Sequence, residues 1–97
     1  MLFACYCVDK PDHDQVRSVN RPAHLEYLKS KEDKIVVAGA MLAENGQRAI
    51  GSLLIIEVED RAAAEAFLAG DPYGKAGLFE STVIRPWRKA FFRAPAA

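Results

Sequence analysis

The apolar positions of this chain change period several times, and each change marks an element. Residues 2–8, LFACYCV, form an aromatic and apolar run that ends at the turn signal Asp9-Lys10-Pro11, the pattern of a strand. Val16, Val19, Ala23 and Tyr27 then recur at helical spacing, as do His24 and Leu28. Asp12 is the expected cap of this helix, with Gln15 completing a capping box. Pro22 lies inside the helical pattern. Its ring removes one backbone bond and meets the carbonyl of Ser18, so a kink or restart is expected there. SKEDK, residues 30–34, ends the helix, and IVVAGAML, residues 35–42, reads as a second strand. ENGQ, residues 44–47, carries the Asn-Gly signal of a tight hairpin into a third strand, IGSLLIIEV, residues 50–58. Asp60 caps a short helix over residues 61–69 that stops at Gly70. DPYGKAGL is a structured loop or single helical turn, FESTVIRPW, residues 79–87, is a fourth strand, and residues 88–97 are a tail.

The resulting order, β-α-β-β-α-β with a central hairpin, predicts an α+β, ferredoxin-like domain: a four-stranded antiparallel sheet with both helices on one face. The second and fourth strands would be the edges, and Pro86 fits an edge. A sheet covered on one face should alternate apolar and polar residues. Leu53 to Ile56 run together, however, and residues 35–42 hold no charge, so both sheet faces are expected to be buried. Two helices cover only one face, which implies a homodimer with its sheets packed together.

Composition narrows the possibilities further. With 97 residues the chain is expected to be one domain over residues 1–97, and 51% hydrophobic with 27% charged residues excludes wholesale disorder. Thirteen basic residues balance thirteen acidic ones, which gives no electrostatic case for nucleic acid or an anionic membrane as partner. No run approaches the roughly 20 apolar residues of a membrane span. MLFACYCVDK reads as a strand rather than a secretory signal, and a cytoplasmic location is the expectation. Cys5 and Cys7, two apart on one strand face, diverge too far for an easy disulfide and read as reduced packing thiols.

Several residues could carry chemistry. His13, between two acids, reads as solvated, whereas His24 falls beside the apolar stripe with its imidazole toward the sheet, as a packed core residue or a base. Asp71 before Pro72 is the pattern of a cap followed by the first helical residue, and a capping carboxylate keeps lone pairs that can also bind an imidazole. Ser52 could supply a hydroxyl. Tyr6, Tyr73 and Trp87 could wall a pocket, and Arg17 and Arg21 could bind a carboxylate or phenolate. No zinc pattern, nucleophile elbow, Walker loop or dinucleotide fingerprint occurs, so neither metal nor cofactor is expected.

RPAHLEYL, VVAGAML and the run from Gly51 through DPYGKAGLFESTVIRPW together resemble the YCII-related (YciI-like) family of the dimeric α/β-barrel superfamily, over residues 1 to about 88. The resemblance implies a ferredoxin-like fold, a dimer with facing sheets, and an active site built on a His–Asp pair. Carried onto this sequence the pair is His24 and Asp71, with Ser52 and Tyr73 nearby. It also implies chemistry of the kind performed by dehydrochlorinases on chlorinated hydroxyhydroquinones, with muconolactone isomerases and small monooxygenases as neighbours in the superfamily. The expected function is therefore cofactor-independent acid–base chemistry, elimination or isomerisation, on a hydroxylated aromatic or cyclic small molecule. The rivals are a non-catalytic ligand-binding or regulatory dimer, and a dimer that binds another protein through residues 88–97, whose Phe91 and Phe92 lie outside the strand plan.

Overall fold

A computed structural model describes residues 1–96 of the chain. Four strands form one antiparallel sheet: β1 (Leu2–Asp9), β2 (Ile35–Leu42), β3 (Ala49–Glu57) and β4 (Phe79–Pro86), in the spatial order β2-β3-β1-β4. The helices α1 (Asp14–Ser30) and α2 (Arg61–Gly70) and the single turn α3 (Pro72–Lys75) complete the ferredoxin-like α+β topology. The edges are β2 and β4, and Pro86 sits where no inner strand needs its missing donor.

Register decides which side chains meet. Cys5 lies opposite Leu54 on one side and Ile84 on the other, and Cys7 lies opposite Ser52 and Thr82. These positions, with Phe3 and Ile56, face the helices. There they pack against Ala64, Phe67 and Leu68 of α2, with Tyr27 and Leu28 of α1 alongside. Each large side chain buried this way contributes roughly 1.5–3 kcal/mol. Tyr6, Leu53, Val37 and Val83 alternate onto the other face, where they are 41–50% exposed, around the buried Ile55. The run Leu53–Ile56 thus divides by parity: within one chain, only its helix-facing half and Ile55 are covered.

Two local expectations change. Asp12 does not cap α1. It adopts a left-handed φ of 59° in the turn after β1, and His13 occupies the N-cap position without a side-chain cap bond, so no capping box forms. Nor does α1 restart at Pro22; it runs unbroken from Asp14 to Ser30. Pro22 and Ser18 both lie on the exposed side, where water can take up the carbonyl that proline leaves free. The hairpin between β2 and β3 closes through Ala43 N–H to the Arg48 carbonyl around residues 44–47, with Gly46 at φ 72° and the Asn45 side chain accepting from Gln47 and Arg48. Asp60 caps α2 as expected, its carboxylate accepting from Ala63 N–H at 2.9 Å.

Both cysteines are free and fully buried. Burial, reinforced by Cys5, Asp71 and Asp9, pushes the Cys7 thiol up to about 12, and burial raises Cys5 as well. An acid whose folded value is raised binds more protons in the folded state than in the unfolded one between the two values. Stability therefore falls as pH rises above the unfolded thiol value near ~8.5. Neither thiol should react with a disulfide reagent in the native protein, while both should react in denaturant. Replacing Cys7 by Ala should remove about 1.4 kcal/mol per pH unit from the slope of stability between roughly pH 9 and 11, measured by urea unfolding.

Candidate active site

The inward stripe of α1 carries Arg17, Arg21, His24 and Leu28, spaced four, three and four residues apart. This stripe lies over β2 and β3, and a cleft of about 210 Å³ remains between them. The opposing wall explains the opening. Ala38 and Ala40 are the helix-facing residues of β2 at this level, with Gly39 between them, and methyl groups cannot fill the space under a helix. The AGA run in the second strand, unremarked in the sequence, is what leaves room for a ligand.

His24 sits in the cleft in the middle of α1 and is 9% exposed. Its Nδ1 lies 2.8 and 2.9 Å from the two carboxylate oxygens of Asp71, which is 2% exposed. Asp71 Oδ1 also accepts from Tyr73 N–H at 2.9 Å, and Pro72 occupies the first position of α3, so the carboxylate caps the turn and holds the imidazole together. A carboxylate only accepts, so Nδ1 carries the proton and Nε2 is left with its lone pair. No protein group bonds Nε2 among the described residues, yet no buried polar side-chain atom lacks a partner, so Nε2 is open to the cleft. The Tyr73 ring stacks on the imidazole, with centroids 3.9 Å apart and planes 13° from parallel. Burial keeps the Tyr73 phenol above its ordinary value, although Arg17 and Arg21 pull the other way, so it stays protonated near neutral pH.

The two arginines differ. Arg17 is buried and engaged through Nε and Nη2: it donates to Asp9 at 2.7 and 3.1 Å, to the Gly51 carbonyl at 2.9 Å and to Ser52 Oγ at 3.0 Å. Its guanidinium also lies 4.7 Å from the Tyr73 ring centroid. Burial works against its charge, but Asp9 and Tyr73 together more than offset this and the arginine is held above its ordinary value. Gly51 is required at this junction, because a Cβ there would lie 2.5 Å from the Cys7 carbonyl oxygen. Arg21 is exposed, lines the cleft and makes no hydrogen bond or ion pair among the described residues.

The structure brings His24, Asp71, Ser52, Tyr73, Arg17 and Arg21 to one place. It does not bring Tyr6 or Trp87 there. Tyr6 alternates between the buried Cys5 and Cys7 and so points to the open sheet face, and Trp87 follows β4 beside Met1 and Leu2 at the far end of the sheet. His24 does not stand near a helix N-terminus, because α1 runs unbroken through Pro22. Asp9, read only as part of a turn signal, is the partner that makes a buried Arg17 tenable. His13 is not part of the cleft, and its Nδ1 meets the Pro11 carbonyl oxygen at 2.8 Å.

Removing one member of a buried ion pair strands the other. Asp9→Asn should therefore cost about 3 kcal/mol in urea unfolding, whereas Asp14→Ser, which breaks the exposed Asp14–Arg48 pair, should leave the midpoint unmoved.

Comparison with known proteins identifies the family and the fold. The YCII-related domain matches residues 1–88. Protein YciI of Escherichia coli is 36% identical over 94% of this chain and all of its own length, and an uncharacterized Haemophilus influenzae protein is 32% identical over the same shares. Among solved structures, 5-chloro-2-hydroxyhydroquinone dehydrochlorinase (TftG) from Burkholderia phenoliruptrix, in complex with 2,5-dihydroxybenzoquinone, is 39% identical. It superposes with a TM-score of 0.86 over 91% of this chain and 94% of its own. A Nitrosomonas europaea protein of unknown function, 19% identical with a TM-score of 0.55, shares the fold. The chain is a member of the YCII-related family.

Proposed function

We propose that this protein is a small-molecule enzyme in which His24 works as a general base and acid, oriented by Asp71, to eliminate a leaving group from a hydroxylated ring or to isomerise it. The observation that carries this reading is the imidazole itself: Nδ1 is occupied by a buried carboxylate, and Nε2 is unbonded and open to a ring-sized cleft. Cavities of ~150 Å³ suffice for a benzene ring, so about 210 Å³ accommodates one with polar substituents. The dehydrochlorinase TftG, bound to a dihydroxybenzoquinone, supports the substrate class.

In the elimination, Nε2 first moves a hydroxyl proton to the ring carbon that bears the leaving group, so that the hydroxyl becomes a carbonyl and that carbon becomes tetrahedral, and then takes a second hydroxyl or ring proton. The released electron pair becomes a double bond and the leaving group departs with its own pair, so a proton and an anion are lost together. Asp71 stabilises the imidazolium formed, without itself taking the proton. Where no leaving group is present, the imidazolium returns the proton to another carbon and the result is an isomer. Tyr73 offers a flat surface against which a ring can stack, and Ser52 Oγ and the Tyr73 hydroxyl supply polar contacts.

The same reading includes a homodimer. Tyr6, Val37, Leu53 and Val83 form an apolar patch across all four strands that a second sheet would cover. Two reduced, buried thiols fit a cytoplasmic setting, and no helix is long and apolar enough to cross a membrane among the described residues.

Chloride release from 5-chloro-2-hydroxyhydroquinone tests the chemistry. His24→Ala should lower the rate roughly 10²–10⁴-fold and Asp71→Asn should lower it by a smaller factor. A His24→Ala protein with full turnover contradicts the proposal, and a wild-type protein that binds the ring without converting it leaves a binding module. Leu53→Glu should convert a dimer to a monomer in light scattering, and a monomeric wild-type protein contradicts the dimer.

A further inference from the structure

The cleft over His24 does not end at Arg21. A second, more open lobe of about 380 Å³ continues from it toward the β2–β3 hairpin, and Arg17, Arg21 and Ala40 border both. Beyond Arg21 the second lobe is bounded by Ser18, Leu42, Gln47 and Arg48. The charges are unevenly settled. Arg17 is neutralised by Asp9, and Arg48 by Asp14 at 2.9 and 3.1 Å. No carboxylate lines the first lobe, and the only one bordering the second, that of Asp14, is already taken by Arg48. Arg21 alone brings an uncompensated guanidinium to the junction. It stands three residues before His24 on the helix, so the two side chains start roughly 5–6 Å apart on one face. A guanidinium matches a carboxylate by two parallel hydrogen bonds.

We infer that the substrate is larger than a bare ring: a hydroxylated ring that lies over His24 and Tyr73 and carries a carboxylate arm bound by Arg21 in the second lobe. This rests on the reading of the first lobe as the ring site and adds the substrate's charge and reach. Arg21 is thereby a specificity-determining residue, and the Gln47 amide is the neutral donor available to the same arm, the Ser18 hydroxyl already donating to the Gln15 carbonyl at 3.1 Å. Arg17, held between Asp9 and Ser52, has its charge already met by Asp9, so the uncompensated charge at the junction is that of Arg21.

Calorimetric titration without oxygen, using hydroquinone, 2,5-dihydroxybenzoate and 2,5-dihydroxyphenylacetate as probes, tests this on the full chain. The two carboxylated compounds should bind at least tenfold tighter than hydroquinone. Arg21→Gln should abolish that preference while leaving hydroquinone affinity within twofold, and Arg21→Lys should keep part of it. Amide resonances of Ser18, Gln47 and Arg48 should shift with the phenylacetate and not with hydroquinone. Equal binding of all three probes, or a preference that survives Arg21→Gln, overturns the inference and leaves the ring site intact. Failure of every probe to bind at millimolar concentration overturns both. An Arg21-dependent preference in a protein whose His24→Ala variant loses no turnover sinks only the catalytic reading.

Discussion

The carboxylate of Asp71 receives donors from two directions. From its own side comes the amide of Tyr73, which closes the first turn of α3; from across the domain comes the imidazole of His24. The capping bond is local and would form in almost any chain carrying Asp-Pro at a helix start. The second bond spans 47 residues of sequence and fixes the rotation of α1 about its axis, since only one face of the helix can present His24 to that carboxylate. With that rotation set, Arg17 and Arg21 follow along the same stripe, and Tyr73, one residue past Pro72, stacks on the ring its neighbour holds. Tyr27, three residues beyond His24, reinforces the docking by donating to the Phe67 carbonyl at 2.8 Å, at a place where Gly70 leaves space for the phenol oxygen.

Around this bond the cleft is shaped by subtraction as much as by addition. Small residues in β2 hold the sheet away from nothing, so the helix stripe overhangs a space it cannot fill. The polar groups there are spent in pairs: Asp71 on His24, and Asp9 on Arg17, whose Nη2 also donates to Gly51 and Ser52. The one basic lone pair left over is that of the imidazole, and the one cation left without a carboxylate is the Arg21 guanidinium. A site with a single basic lone pair beside a single free cation suits a substrate that surrenders a proton and bears a negative charge.

Much of the fold was legible because parity and period are local. Strand limits agree with the sequence reading to within about a residue, and the edge position of Pro86 followed from its missing donor. The same parity, applied more strictly, would have placed Tyr6 correctly, since a residue between two buried cysteines must face the other way. The start of α1 was not legible, because a backbone turn puts Asp12 in the left-handed region and so takes it out of the cap position. Pro22 misled for a similar reason: whether proline breaks a helix depends on whether the orphaned carbonyl can reach water, which only the folded surface decides. His24 and Asp71 each stood out in the sequence, and the family likeness is what paired them, whereas the distinct fates of Arg17 and Arg21 turn on Asp9, which the end of β1 brings to Arg17 and not to Arg21.

The claim on which the account stands is that Asp71 holds His24 with its proton on Nδ1 and its lone pair on Nε2. Nitrogen-15 NMR of the His24 ring in the free protein measures this directly. The account predicts a pyrrole-type shift at Nδ1 and a pyridine-type shift at Nε2 above the titration of the ring, with the distinction collapsing in Asp71→Asn. A wild-type spectrum showing the proton on Nε2, or two nitrogens averaged as in a solvated histidine, would contradict it.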